Sequence, residues 1–131
     1  LPFLQKPDAA SIVTISSTAA FEDFMGPGAY NALKAAVINY TSALSQKLAG
    51  DGVRVNCVSP GPVEMEGRAW DQIKQAMPDF YTGILKQIPM GRMGSGEEIA
   101  KAIAFVASPV CGYMTGANLV IDGGFTKRVQ F

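Results

Sequence analysis

A chain of 131 residues, 48% apolar and 17% charged, is long enough to bury one core and too apolar to stay disordered. Eleven basic residues balance eleven acidic ones, which leaves no net charge to attract nucleic acid or an anionic membrane. The absence of histidine excludes Ser-His-Asp and Cys-His catalysis and every zinc site that depends on imidazole, so acid–base chemistry falls to Tyr, Lys, Asp, Glu or Cys.

No apolar run reaches the roughly eighteen residues of a membrane-spanning helix. The N-terminus carries no basic-then-apolar signal segment. Cys57 and Cys111 stand apart without CxxC spacing and read as reduced core residues of a cytoplasmic protein. The sequence begins Leu1-Pro2-Phe3 rather than with methionine, and reads as a piece of a longer protein.

The β-branched run at 11–16 predicts a first strand, followed by a loop of small and aromatic residues from Thr18 to Ala29. A helix is expected over 29–49, closed by Gly50 and Gly52. A second strand follows at 53–58, then an irregular stretch over 62–94. Ser95 and Glu98 are spaced as a capping box for a helix at 96–107, and a third strand is expected at 118–121. Strands alternating with helices predict an α/β fold with a parallel sheet and crossover helices. Three parallel strands leave an apolar edge, and the 11–16 strand looks built for a neighbour on each side.

At roughly 100° per residue, Tyr30, Leu33, Lys34, Val37, Thr41, Leu44 and Leu48 form one stripe, expected to face the core. A lysine in such a stripe is unusual, because lysine is rarely buried without a partner. Its plain reading is a side chain snorkelling beside a tyrosine at a helix start. Ser16-Ser17 ends the first strand at the edge where open parallel sheets hold ligands. The segment Asn56 to Val63, with Pro60-Gly61 reversing the chain, ends the second strand at that edge. Gly94-Ser95-Gly96 lacks a third glycine and follows no strand, so it reads as a helix cap rather than a phosphate loop. A hydrolase reading has no GxSxG, SxxK or histidine to rest on.

Taken together, these segments resemble the short-chain dehydrogenase/reductase family, in its oxoacyl-reductase-like branch. Ile12 to Ser17 is similar to the family's serine strand, and Tyr30-Asn31-Ala32-Leu33-Lys34 matches its Tyr-x-x-x-Lys signature. Arg54 to Gly61, Pro89 to Gly94 with Glu97 to Ala100, and Thr115-Gly116 with Val120 to Gly124 resemble its later segments in order. The resemblance implies the C-terminal half of a Rossmann-type doubly wound sheet, with residues 1–131 as the catalytic half of one domain. It implies NAD or NADP as cofactor and a small carbonyl or alcohol substrate.

The roles implied are Tyr30 as acid/base, Lys34 as the cation that tunes it and holds the nicotinamide ribose, and Ser17 as the donor to the substrate oxygen. A free tyrosine, with a pKa of about 10, is a poor base at neutral pH, and a nearby cation favours its anion. Tyr30, Lys34, Pro60, Gly61 and the Val63 backbone are the implied cofactor contacts, with no metal. Met65 stands where the family often has a threonine near the nicotinamide amide. Met65, Trp70, Met77, Phe80, Tyr81 and Ile84 favour a substrate with apolar bulk, or simply pack together.

The family's glycine-rich loop, cofactor-selecting residue and catalytic asparagine would precede this segment, and nothing in residues 1–10 replaces them. The chain is therefore expected to be inactive alone and to need its missing N-terminal half. Opposite the Tyr30 stripe, Ala32, Ala35, Ala36, Asn39, Ser42 and Ala43 offer a small-residue face. The family resemblance makes this a homo-oligomer contact, whereas plain helix propensity makes it a solvent face. The rival function is a non-catalytic, oligomerising half-domain.

Overall fold

The computed structural model describes residues 10–22 and 26–129. Residues 1–9, where a substitute cofactor loop was sought, lie outside that set, as do residues 23–25 of the loop before Tyr30. In chain order the elements are β1 (Ser11–Ile15), α1 (Gly28–Leu48), β2 (Arg54–Pro60), β3 (Val63–Glu64), α2 (Ala69–Ala76), α3 (Pro78–Leu85), β4 (Gly94–Ser95), α4 (Gly96–Ala107) and β5 (Asn118–Ile121).

The three longer strands form one parallel sheet in the order β1-β2-β5. Ile12 sits beside Val55, Ile15 beside Val58, and Cys57 beside Asn118. Side chains alternate across a strand, so Ile12 and Val55 face one side while Val13 and Val58 face the other. On the first side they pack with Leu44 and Leu48 of α1. On the second they pack with Ile99, Ile103 and Val106 of α4. The sheet is thus covered on both faces, as a doubly wound fold requires. The central strand β2 is buried from Arg54 through Ser59. At the edge, β1 pairs only with β2 among the described residues.

The expected core stripe of α1 needs correction at its start. Tyr30 is 45% exposed and Leu33 68%, whereas Thr41, Ser45 and Leu48 are buried. The reason is length. A helix of 21 residues spans roughly 31 Å, whereas the five residues of β1 span roughly 17 Å. The first turns of α1 therefore overhang the sheet, beyond the point where β1 stops. Polar ties join the two elements instead. The Thr14 and Thr41 hydroxyls lie 2.6 Å apart, and Ser16 Oγ donates to the Lys34 carbonyl at 2.7 Å.

The stretch at 62–94 is not irregular. It holds two eight-residue helices, α2 and α3, and a second small parallel pair, β3 with β4. Tyr81, Ile84, Ile88, Met93 and Phe125 form its core, with Trp70, Ile73, Phe80 and Leu85 packed around them. Glu64 ties this lid to β3: its carboxylate accepts from Lys74 Nζ at 2.7 Å and from the Tyr81 hydroxyl. The Lys74 bond and then the Tyr81 bond hold the Glu64 carboxyl below its usual range. The same carboxylate keeps the Tyr81 phenol protonated to higher pH than usual.

The two ends of α4 are held by different chemistry. At its start the capping box is complete: Glu98 N–H donates to Ser95 Oγ at 3.2 Å, and Ser95 N–H to Glu98 Oε2 at 2.9 Å. At its end the buried Arg54 guanidinium donates to the carbonyls of Val106, Ala107 and Ser108, each at 3.0 Å. Those carbonyls lack intrahelical partners, and the cation meets the negative end of the helix dipole.

Candidate active site

A cavity of about 400 Å³ opens at the C-terminal edge of β1 and β2. One wall is polar and comes from β1 and the overhanging start of α1: Ser17, Tyr30 and Lys34. Beneath it runs the turn that leaves β2, with Pro60, Gly61 and Val63. The facing wall is apolar and comes from Met65, Trp70 and the first turns of α4. All six residues singled out in the sequence therefore line one space.

Ser17 caps a short 3-10 turn over Thr18–Ala20, its Oγ accepting from Ala19 N–H at 3.2 Å. The local cap and a role toward a ligand are compatible, because that bond uses an oxygen lone pair and leaves the hydroxyl hydrogen free to donate. Lys34 Nζ donates to the Ile15 carbonyl at 3.0 Å and lies 5.7 Å from the centre of the Tyr30 ring. The ammonium is thus held between the end of β1 and the phenol, with two further donors available. The Ser16 bond to the Lys34 carbonyl fixes the helix turn that carries it.

Gly61 is where it is because there is no room for a side chain. A Cβ there would lie 2.6 Å from the Asp122 Cβ and 2.8 Å from its Cα, inside contact distance. The close approach lets the ends of β2 and β5 meet under the cavity, with Gly61 N–H donating to the Ile121 carbonyl at 2.9 Å. On the far wall, Trp70 stacks on Phe80 with ring centres 6.3 Å apart and planes 11° from parallel.

Several lining residues had no place in the sequence-based site: Ile15, Gly96, Ile99, Ala100 and Ile103. Ile99 and Ile103 lie one turn apart on α4, so their common face was readable. That this face turns toward the end of β1 was not, since the packing of α4 on β1 spans more than eighty residues of chain.

Proteins of known family share this fold. Residues 1–126 match the family model described as enoyl-(acyl carrier protein) reductase. The chain belongs to the short-chain dehydrogenase/reductase family. It is 36% identical to the isoepoxydon dehydrogenase patN of Aspergillus clavatus over 131 aligned residues, 99% of this chain and 51% of that protein. It is also 36% identical to the 3-oxoacyl-[acyl-carrier-protein] reductase FabG of Escherichia coli K12, over 92% of this chain and 48% of that one. A solved short-chain oxidoreductase from Pseudomonas aeruginosa PAO1, with NADPH bound and an atypical catalytic centre, superposes with a TM-score of 0.86 at 34% identity. That match covers 98% of this chain and 50% of the other. A putative 2-deoxy-D-gluconate 3-dehydrogenase from Agrobacterium tumefaciens, with NADP bound, gives 0.80 at 33% identity over 88% of this chain and 46% of its own. This dehydrogenase/reductase chain spans about half the length of the relatives it matches.

Proposed function

We propose that residues 1–131 are the substrate-holding, proton-transferring half of a single NAD(P)-dependent oxidoreductase domain. The intact protein would interconvert a carbonyl compound and its alcohol. The observation that carries this reading is the one cavity in which Ser17, Tyr30 and Lys34 meet the Pro60–Val63 turn. NADP or NADPH bound to the solved relatives supports the cofactor class.

The residues present fit the nicotinamide end of such a cofactor. Gly61 keeps the floor free of side chain, Pro60 and Val63 flank it, and Lys34 keeps ammonium donors to spare for a ribose. When bound, the cofactor supplies or accepts a hydride. In reduction, the Tyr30 hydroxyl hands its proton to the carbonyl oxygen; in oxidation, the phenolate takes it back. Lys34 places positive charge beside the phenol and stabilises the charge left when the proton departs. The Ser17 hydroxyl donates to the substrate oxygen, where negative charge builds up in the transition state. Met65, Trp70, Ile99 and Ile103 suit a substrate whose carbonyl carries apolar bulk.

The test expresses the chain together with the N-terminal half that its relatives carry. NADPH- or NADH-dependent reduction of a small and an aromatic ketone is then followed by the loss of reduced nicotinamide. The combined protein is expected to turn over, and the 131-residue chain alone to show neither turnover nor micromolar cofactor binding in calorimetry. Turnover by the chain alone, or none by the combined protein, overturns the reading.

An oligomer through α1 belongs to the same proposal. Its support is that Ala32, Ala35, Ala36 and Ala43 are exposed beside Leu33 and Tyr40. Ala35→Arg with Ala43→Arg should lower the sedimentation coefficient of the combined protein. Two buried thiols, Cys57 and Cys111, support a cytoplasmic setting.

A further inference from the structure

The chain beyond β5 does more than end the sheet. Asp122 sits at its turn, and its carboxylate accepts from Gly124 N–H at 2.9 Å, Thr126 N–H at 2.8 Å and the Thr126 hydroxyl at 2.6 Å. Burial pushes this carboxyl up, but the Thr126 and Gly124 bonds together hold it below its usual range. Gly123 and Gly124 both take positive φ, 63° and 84°, and pass so close to Ile88 and Pro89 that a Cβ on either would sit 3.0 Å from a neighbouring carbon. The turn aims Phe125 into the lid core beside Tyr81, Ile84, Ile88 and Met93.

Past that anchor the segment reaches the residues that follow the Ser17 turn. Lys127 N–H donates to Glu22 Oε1 at 3.0 Å, and the Arg128 guanidinium lies over the Phe21 ring, 4.2 Å from its centre. Phe21 and Glu22 directly follow the turn capped by Ser17, with Phe21 N–H bonded to the Thr18 carbonyl at 3.0 Å. One short segment therefore holds the lid that carries Trp70 at one end and the turn that carries Ser17 at the other. Nothing in the hydride or proton chemistry requires these contacts.

We propose that Asp122–Arg128 is a strap joining the two walls of the substrate mouth, in which Arg128 and Glu22 are positioning residues that set its width and hence the substrate size accepted. This rests on the oxidoreductase reading for its substrate, but the clasp itself is a matter of contact. Arg128 is exposed, so its removal leaves the core intact. Without it the guanidinium–ring contact is lost, while the Lys127 N–H bond to Glu22 remains.

The test uses the intact protein, with its dinucleotide-binding half, as Arg128→Ala, Glu22→Gln and both together. Hydrogen exchange at the Ala20 and Phe21 amides reads the clasp without reference to catalysis. Each single change should speed that exchange about two- to fivefold, the scale of one exposed cation–ring or amide–carboxylate contact, and the pair about tenfold. KM for a bulky aromatic ketone should shift severalfold in step, while kcat for a small ketone stays within about twofold. Phe21→Tyr, which keeps the ring, should behave as the unaltered protein. Unchanged exchange in the double variant overturns the strap whatever the turnover, as does faster exchange with equal KM shifts for both ketones. Absence of turnover in the unaltered protein overturns the oxidoreductase reading instead, and the exchange result still decides the clasp.

Discussion

The two walls of the cavity are built by opposite means. The polar wall is held by side chains bonded to main-chain atoms. Ser17 caps its own turn, Ser16 binds a carbonyl of α1, and Lys34 binds a carbonyl of β1. The apolar wall is held through side chains: the Trp70–Phe80 stack, the packed lid core, and the Glu64 carboxylate gripping Lys74 and Tyr81. In each polar-wall bond one partner is a main-chain atom that no substitution removes, whereas on the apolar wall both partners are side chains. The residues proposed to move protons thus have main-chain partners, and those proposed to judge the substrate sit on the part most easily rebuilt.

The sharpest test of that contrast is Tyr30→Phe in the intact protein. It keeps the ring and removes the transferable proton, and should lower kcat by about two to four orders of magnitude with little change in KM. Next comes Trp70→Ala, which removes apolar wall and no chemistry. KM for an aromatic ketone should rise about tenfold, with the small-ketone kcat nearly unchanged. Equal losses of kcat for the two ketones in that variant would erase the distinction between the walls.

Glu64→Gln should act more weakly, because the ties it breaks are partly exposed and screened. It should raise KM for the large ketone about twofold and speed proteolysis within 66–80. The smallest effect belongs to Glu98. The Arg92 guanidinium, then the Ser95 amide, lower its pKa from an ordinary 4.5 to about 2. A carboxyl depressed in the folded state adds stability above its unfolded pKa and loses it as pH falls. The gap in thermal midpoint between the unaltered protein and Glu98→Gln should therefore be full at pH 7, shrink below about 4.5 and close near 2.

Much of this arrangement was legible in the residues. The three sheet strands announced themselves as β-branched runs, and Ser95 with Glu98 marked the start of α4 to the residue. Ser17, Tyr30, Lys34, Pro60, Gly61 and Val63 all reach the cavity because strand ends and a helix start fix where they go. The helices of the lid were missed for a local reason. Its two helices are eight residues each, and neither Arg68 nor Met77 makes a side-chain cap bond, so the usual start signals are missing. Pro78 reads as a breaker, yet at a first helical turn it is a starter. The exposure of Tyr30 and Leu33 was missed because periodicity assigns a face, not how far the strand beneath it extends. The anchoring by Arg54 was not legible, because its four carbonyl partners, Val106, Ala107, Ser108 and Met114, lie more than fifty residues along.

That guanidinium gives α4 a direction in which to come apart. Its partners at the last turn of α4 are main-chain carbonyls, which acid does not neutralise. The first turn depends on a carboxylate that acid neutralises. In falling pH the first turn of α4 is therefore the end whose cap weakens, and it carries Gly96, Ile99 and Ala100, which face the cavity. Acid thus loosens the cavity end of the helix while its far end stays tied to the central strand.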